Sequence, residues 1–476
     1  MSIRFLAFSP EIILLLGLVV MLLTARFRAV QNTPKTFFTL SRITLLAALL
    51  AAVVFYDRSS LPAYFVNNSY TALFKGLVYL LGMSWFFLSC KWFLNKNLPT
   101  FRYYALGLTA ILLFSLLISA QNLLIVWLVF LGSALVNFFL IRLNPEEEEL
   151  AAVQAGRYFA FAFGMAVLMA GALAVFYVHF SGWNYSHLYH QLARPENLTN
   201  LNLWACGLFL CGLLFALAIA PFHFWLPDVI RTAVLPVSGY LMLIPVVAFV
   251  GCFVNLMLNV FFPVGAALYD WLNLLAFVTL FIGAVAANQE RNIRVLFAYT
   301  ALYNLAVVLI GILNFTEDGT LSGFVYMLIY TLAYIGIYTV FLGCKSNGDY
   351  VSALRDLSGI SHTKPGLSAA LLIFMVSMIG SPPLLGFLGK LSVVNNLLIE
   401  GRYVTAAAIL LGVISVANAY LQVVRTIYFE PSVKSFDRID RSIYLSLFVN
   451  LVLVVILILN PGGLIRDFET LLSSVF

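Results

Sequence analysis

The chain is poor in charge. Of its 476 residues, 10% are Asp, Glu, Lys or Arg, whereas 63% are hydrophobic. Soluble domains carry about 25% charged residues, so this composition sets aside a soluble enzyme and leaves a polytopic membrane protein. Cysteine is also scarce. Cys90, Cys206, Cys211, Cys252 and Cys344 lie in or at the ends of apolar segments without paired ligand spacing, and they read as small core-filling residues rather than cluster ligands or a disulfide framework. There is no dinucleotide fingerprint, phosphate loop or haem motif, so the chain has no visible means of handling electrons itself. The net charge of +6 is scattered over short loops and forms no patch, which sets aside nucleic acid as a partner. The first apolar segment follows a single arginine, Arg4, and lacks a small-residue cleavage site, so it reads as a retained span rather than a signal.

What the chain has instead is long apolar runs. A helix crosses a bilayer in roughly 20 residues. Fourteen spans are expected, near 9 to 25, 38 to 56, 72 to 93, 103 to 120, 122 to 142, 157 to 179, 203 to 222, 235 to 258, 268 to 287, 292 to 313, 321 to 343, 367 to 397, 403 to 428 and 442 to 460. A last amphipathic piece runs from Leu464 to Phe476. The fold class is therefore an all-α polytopic membrane protein of about 14 transmembrane helices.

Charge orients the spans. Odd-numbered loops hold 18 Lys and Arg, including Arg26, Arg28, Lys35, Arg142, Arg157, Arg294 and Arg438. Even-numbered loops and the termini hold 5, namely Arg4, Arg58, Arg194, Arg402 and Arg466. The positive-inside rule then places the odd loops in the cytoplasm and both termini on the outer side.

Two spans are interrupted. In the twelfth, Gly380, Ser381, Pro382 and Pro383 follow one another, and two prolines remove two backbone donors and oppose the preceding turn. Lys390 follows within apolar sequence. An ionisable residue beside a helix break at membrane depth marks a candidate ion or proton path, although a lysine near a helix end also snorkels to headgroups. The seventh span ends FALAIAPFHFWLPDV, with Pro221, His223 and Pro227. Two broken spans five helices apart have opposite orientation, the signature of an inverted repeat. Spans 4–8 and 9–13 are therefore expected to form two five-helix repeats. The corresponding segments are 1–100 (a three-helix unit), 101–260, 265–430, and 431–476 (a C-terminal helix and tail).

Other polar residues have bland readings. Glu146 to Glu149 follow Pro145 and suit the acidic first turn of a helix. His179, His187 and His190 lack the spacing and acidic partners of a metal site. Arg157 opens the sixth span as an interface anchor, Asp228 caps a helix or pairs with Arg231, and Asp270 begins the ninth span.

Three stretches together point further. APFHFWLPDV (Ala220 to Val229) with LPVSGYLMLIP (Leu235 to Pro245), NIRVLFAYTALYNLAVVLIG (Asn292 to Gly311), and DLSGI (Asp356 to Ile360) leading to GSPPLLGFLGK (Gly380 to Lys390) resemble the antiporter-like membrane subunits of proton-pumping NADH:quinone oxidoreductase, complex I. The resemblance covers nearly the whole chain. It implies two inverted five-helix repeats and a row of buried lysines, with a glutamate, relaying protons. On it the twelfth-span lysine falls on Lys390, the histidine after the broken seventh span on His223, and the basic residue of the sixth span on Arg157, where the family usually shows lysine.

The sequence also departs from that pattern. The fifth-span glutamate falls on Leu131, the seventh-span lysine on Ala216, the eighth-span lysine on Val246 and the tenth-span histidine on Asn304. Burial of an amine favours its neutral form, a nearby carboxylate opposes that, and the two together allow proton exchange. Leucine, alanine and valine hold neither a proton nor the water that passes one. The expectation is a membrane-arm subunit contributing to proton translocation coupled to quinone reduction, with a degenerate N-terminal half-channel. Alternatives are a structural or assembly subunit of the same complex, or a subunit of a multi-subunit cation/proton antiporter. The resemblance further implies a bacterial inner-membrane hetero-oligomer with other complex I membrane subunits, and FMN, iron–sulfur clusters and quinone on partner subunits rather than here.

Overall fold

The computed structural model describes residues 8–26, 34–55, 64–96, 101–314, 316–432 and 434–460. Arg4, Arg28, Arg58, Arg466 and the tail Leu464 to Phe476 lie outside the described residues. Each of the fourteen apolar runs is helical. In chain order the helices are Ser9–Ala25, Pro34–Val54, Ser69–Lys96, Phe101–Ser119, Leu123–Arg142, Glu148–Phe180, Asn200–Ala216, Leu235–Asn259, Gly265–Ala286, Ile293–Ile312, Glu317–Gly343, the pair Pro365–Ile379 and Leu385–Ile399, Tyr403–Phe429 and Arg441–Leu459. With no water in the hydrocarbon core, only a structure that pairs its own backbone crosses, and helices do so.

Local chemistry sets several helix starts. The first four N–H groups of a helix need outside acceptors. The side chain of Asn122 takes the Leu124 N–H, Thr199 takes that of Asn202, Asn292 takes those of Arg294 and Val295, and Thr316 takes that of Gly319. These four caps begin the fifth, seventh, tenth and eleventh spans. The sixth span differs from the expected 157 start: its helix begins at Glu148 with Glu148 and Glu149 in the first turn. Arg157 therefore lies within the helix and is exposed. Hydropathy fades where the acidic and basic residues begin, but the backbone continues because acidic side chains favour a helix N-terminus.

The chain divides into two compact units, residues 8–218 with 232–270, and residues 219–231 with 271–460, among those described. In the first unit the eighth span is buried from Leu235 through Met257 and keeps a continuous helix past Pro245. The third span packs on it, with Tyr70 donating to the Gly251 carbonyl at 2.6 Å and the Trp85 indole to that of Pro236 at 2.6 Å. In the second unit the tenth and eleventh spans are the buried pair. The first and fourteenth spans turn Leu15, Leu16, Leu23, Phe448 and Leu459 outward, an apolar surface suited to lipid. The segment 219–231 is tied to the second unit by the Ala220 N–H on Thr279 Oγ1 at 2.8 Å and by Arg231 with Glu290 at 2.8 Å. Arg231 thus has Glu290 as an ion-pair partner. The DLSGI stretch forms a tight turn in which Asp356 pairs with Lys434 at 2.8 Å.

Lipid tails are as apolar as leucine, so helices associate through close packing at small residues. Gly283 in the ninth span faces the backbone of Tyr299 and Tyr303 in the tenth, and a Cβ there would lie 2.6 Å from the Tyr303 nitrogen. Gly283→Ala is expected to lower stability by about 1–3 kcal/mol through overpacking. Gly164→Ala, in open space, is expected to raise it by about 0.5–1 kcal/mol. Denaturation midpoints of the two variants in detergent check this; equal midpoints would contradict the close approach.

Candidate functional site

The twelfth span breaks in a way that its sequence dictates. Its first half ends at Ile379, and Gly380 takes a left-handed conformation (φ 80°) that favours glycine. The Gly380 N–H returns to Ser377 O and the Ser381 N–H to Val376 O, the paired bonds of a Schellman end. In an uninterrupted helix the carbonyls of Met378 and Ile379 would be met by the N–H groups of residues 382 and 383. Both of those residues are proline and have no N–H. The Pro382–Pro383 bond is cis, as is Ala220–Pro221.

Lys390 fills the gap. It sits in the second turn of Leu385–Ile399, and its side chain reaches back so that Nζ donates to Met378 O at 2.9 Å and Ile379 O at 2.8 Å. Nζ also lies 4.5 Å from the centroid of the Tyr303 ring and 5.7 Å from that of Tyr326. Lys390 is 4% exposed. The ammonium is therefore held by a helix C-terminus, where partial negative charge collects, and by two aromatic faces. Among the described residues it has no carboxylate partner. Tyr326 donates to Asn304 Oδ1, Tyr420 donates to Thr300 Oγ1 at 2.7 Å, and Tyr303 donates to the Ile409 carbonyl at 2.9 Å. The bonds of Tyr303 and Tyr326 fix the two rings beside the amine.

The remaining expected residues fall as follows. The seventh span stops at Ala216, with Ala218 left-handed (φ 53°) and Pro221 exposed. His223 lies on the following turn, Phe222–Phe224, half-buried. It belongs to the same compact unit as Lys390, whereas Arg157 belongs to the other. Leu131 and Ala216 are half-buried, and Val246 and Asn304 are buried. In the first unit Asn137 donates to Tyr158 at 3.0 Å and accepts from Tyr240 at 3.0 Å, joining spans five, six and eight without an ionisable carboxylate or amine.

Three charged side chains are buried among the described residues: Lys390, Glu11 and Lys75. The last two escape a reading of the sequence. Lys75 Nζ lies 2.7 Å from Glu11 Oε1, with both side chains under 10% exposed. The available signal is a lysine inside the apolar third span; its partner lies 64 residues earlier, in the first turn of the first span.

Comparison with known proteins adds the following. Residues 120–415 match the family described as NADH:quinone oxidoreductase/Mrp antiporter, transmembrane. NADH-quinone oxidoreductase subunit N of Rhodospirillum rubrum is 27% identical over 466 residues, covering 96% of this chain and 94% of that one. The subunit N of Paramagnetospirillum magneticum is 26% identical over 479 residues, covering 98% and 97%. Among solved structures, a chain of respiratory complex I from Thermus thermophilus superposes with a TM-score of 0.80 at 23% identity, covering 96% of this chain and 98% of that one. A chain of the Mrp complex from Dietzia superposes with a TM-score of 0.85 at 17% identity, covering 100% and 98%. These likenesses establish the fold.

If the Tyr303 ring stabilises the Lys390 ammonium, Tyr303→Leu and Lys390→Met are coupled. A double-mutant cycle read by denaturation in detergent is expected to give about 1–2 kcal/mol of coupling. Effects that add to within about 0.3 kcal/mol would remove the ring from the site.

Proposed function

Because the chain belongs to the NADH:quinone oxidoreductase/Mrp antiporter family, we propose that it is a membrane-arm subunit of a bacterial NADH-quinone oxidoreductase, of the subunit N type, in which Lys390 takes up and releases a proton. One observation carries this reading: an amine buried in a broken span, held by carbonyls and aromatic faces, with no carboxylate partner among the described residues. Carbonyls accept from either the ammonium or the neutral amine, so proton loss at Nζ leaves the hydrogen-bond frame in place.

The remaining assignments follow from that role. Spans 4–8 and 9–13 act as inverted repeats, consistent with an Asn–Tyr bond between spans five and six (Asn137, Tyr158) and another between ten and eleven (Asn304, Tyr326). The first repeat is a degenerate half-channel, because Leu131, Ala216 and Val246 cannot exchange protons. His223 serves the broken seventh span, and Arg157, exposed in this chain, faces lipid headgroups or a neighbouring subunit. The odd loops face the cytoplasm and both termini the outer side of the inner membrane. FMN, iron–sulfur clusters and quinone belong to partner subunits, so redox chemistry reaches this chain only through conformational or electrostatic coupling.

Two other readings have specific support. The four non-titratable positions favour a packing subunit without its own proton path. The likeness to a chain of the Mrp complex favours a cation/proton antiporter subunit. In vesicles, Lys390→Ala at unchanged complex abundance is expected to lower NADH-driven proton translocation at least roughly tenfold, short of the 100-fold usual for a lost acid–base group. Parental translocation would leave the packing reading. Sodium-dependent antiport by the native complex without NADH oxidation would favour the antiporter.

A further inference from the structure

The buried pair in the first unit has no part in the function proposed above. Glu11 is 6% exposed and Lys75 2%. Their contacts form a continuous row. Asn67 Oδ1 accepts from Lys75 Nζ at 2.8 Å, Nζ lies 2.7 Å from Glu11 Oε1, Ser115 Oγ donates to that same oxygen, and Tyr79 shares a 2.6 Å hydroxyl bond with Ser115. The row gathers the first, third and fourth spans, and runs along the third span from its lead-in to Tyr79, one turn beyond Lys75.

Two features set this pair apart from a static clasp. Glu11 Oε2 is buried with no hydrogen-bond partner among the described residues, although an ionised carboxylate needs donors at both oxygens and a protonated one needs fewer. Beside Lys75 lies a cavity of about 10 Å³ lined by Pro10, Phe55, Asn67 and Thr71, at the lower limit of the space for one water. The cavity sits where the second span ends and the third begins.

We propose that Glu11 and Lys75 form a proton-exchange site. In the step itself the Nζ–H bond of the ammonium breaks as an O–H bond forms on the Glu11 carboxylate, and the pair passes from charged partners to a neutral amine and a neutral acid. Net charge is zero before and after, so the transfer moves no uncompensated charge through the low-dielectric interior. The neutral Lys75 amine is then reprotonated by hydronium from the bulk through a water in the adjoining cavity, the hydronium leaving as water, and the site carries one added proton until Glu11 releases its own along the Ser115 and Tyr79 hydroxyls, which extend the row inward. The chemistry stands on these residues alone. Its use in translocation rests on the respiratory-complex reading.

Dicyclohexylcarbodiimide tests the exchange, because a protonated carboxyl in an apolar site adds across its C=N bond. The activated acyl group either rearranges to a stable acylurea or is captured by the adjacent Lys75 amine with release of the urea. Membranes carrying the parent complex are expected to yield a Glu11 peptide bearing the adduct or an amide cross-link to Lys75, both absent in Glu11→Gln. An unmodified Glu11, when other carboxyls of the complex react, would overturn the proposal. The neutral double variant Glu11→Gln/Lys75→Met tests its use. If it assembles, NADH-driven proton translocation is expected to fall at least twofold, and a parental ratio overturns the transfer role; if it fails to assemble, the labelling result decides. A parent complex that moves no protons with NADH would instead remove the wider reading while leaving the Glu11 result to stand or fall by itself.

Discussion

The ammonium of Lys390 and the carbonyls of Met378 and Ile379 each answer a need the other creates. Backbone oxygens left unpaired at membrane depth carry a large desolvation cost, and so does a cation without partners. Pro382 and Pro383 produce the first problem by withholding two N–H groups, and the lysine resolves it from the next half-helix. The break is thus stable because a titratable group sits in it, and the group is tolerated because the break supplies acceptors and the negative end of a helix.

This arrangement gives the two compact units different characters. The second holds an amine ringed by Tyr303 and Tyr326 and steadied by Asn304. The first has a comparable Asn–Tyr connection in Asn137, Tyr158 and Tyr240 but no charge inside it, and its buried ion pair lies instead among the first, third and fourth spans. A chain built this way keeps polar connections in both halves while confining its buried charges, among the described residues, to two places.

Much of this was legible in the linear chain because it follows from local rules. The apolar runs marked fourteen spans, and two prolines after a glycine marked the break whatever the tertiary structure. The burial of Lys390 agrees with the apolar sequence on both sides of it. Two kinds of information were not legible. The sixth span begins at Glu148 rather than Arg157, since hydropathy reports the lipid-facing part of a helix and not its polar first turns. The Glu11–Lys75 pair is non-local: Glu11 alone reads as a residue favoured at a helix start, and Lys75 alone as one charge in a long span. Only packing of the first span near the third joins them.

The most direct test is a side-chain-resolved density map of the chain within its native assembly. The account predicts a helix interrupted after Ile379, with the Lys390 amine within hydrogen-bond distance of the Met378 and Ile379 carbonyls and enclosed by Tyr303 and Tyr326. An unbroken helix through residues 365–399, or an amine turned out to the lipid headgroups, would contradict it.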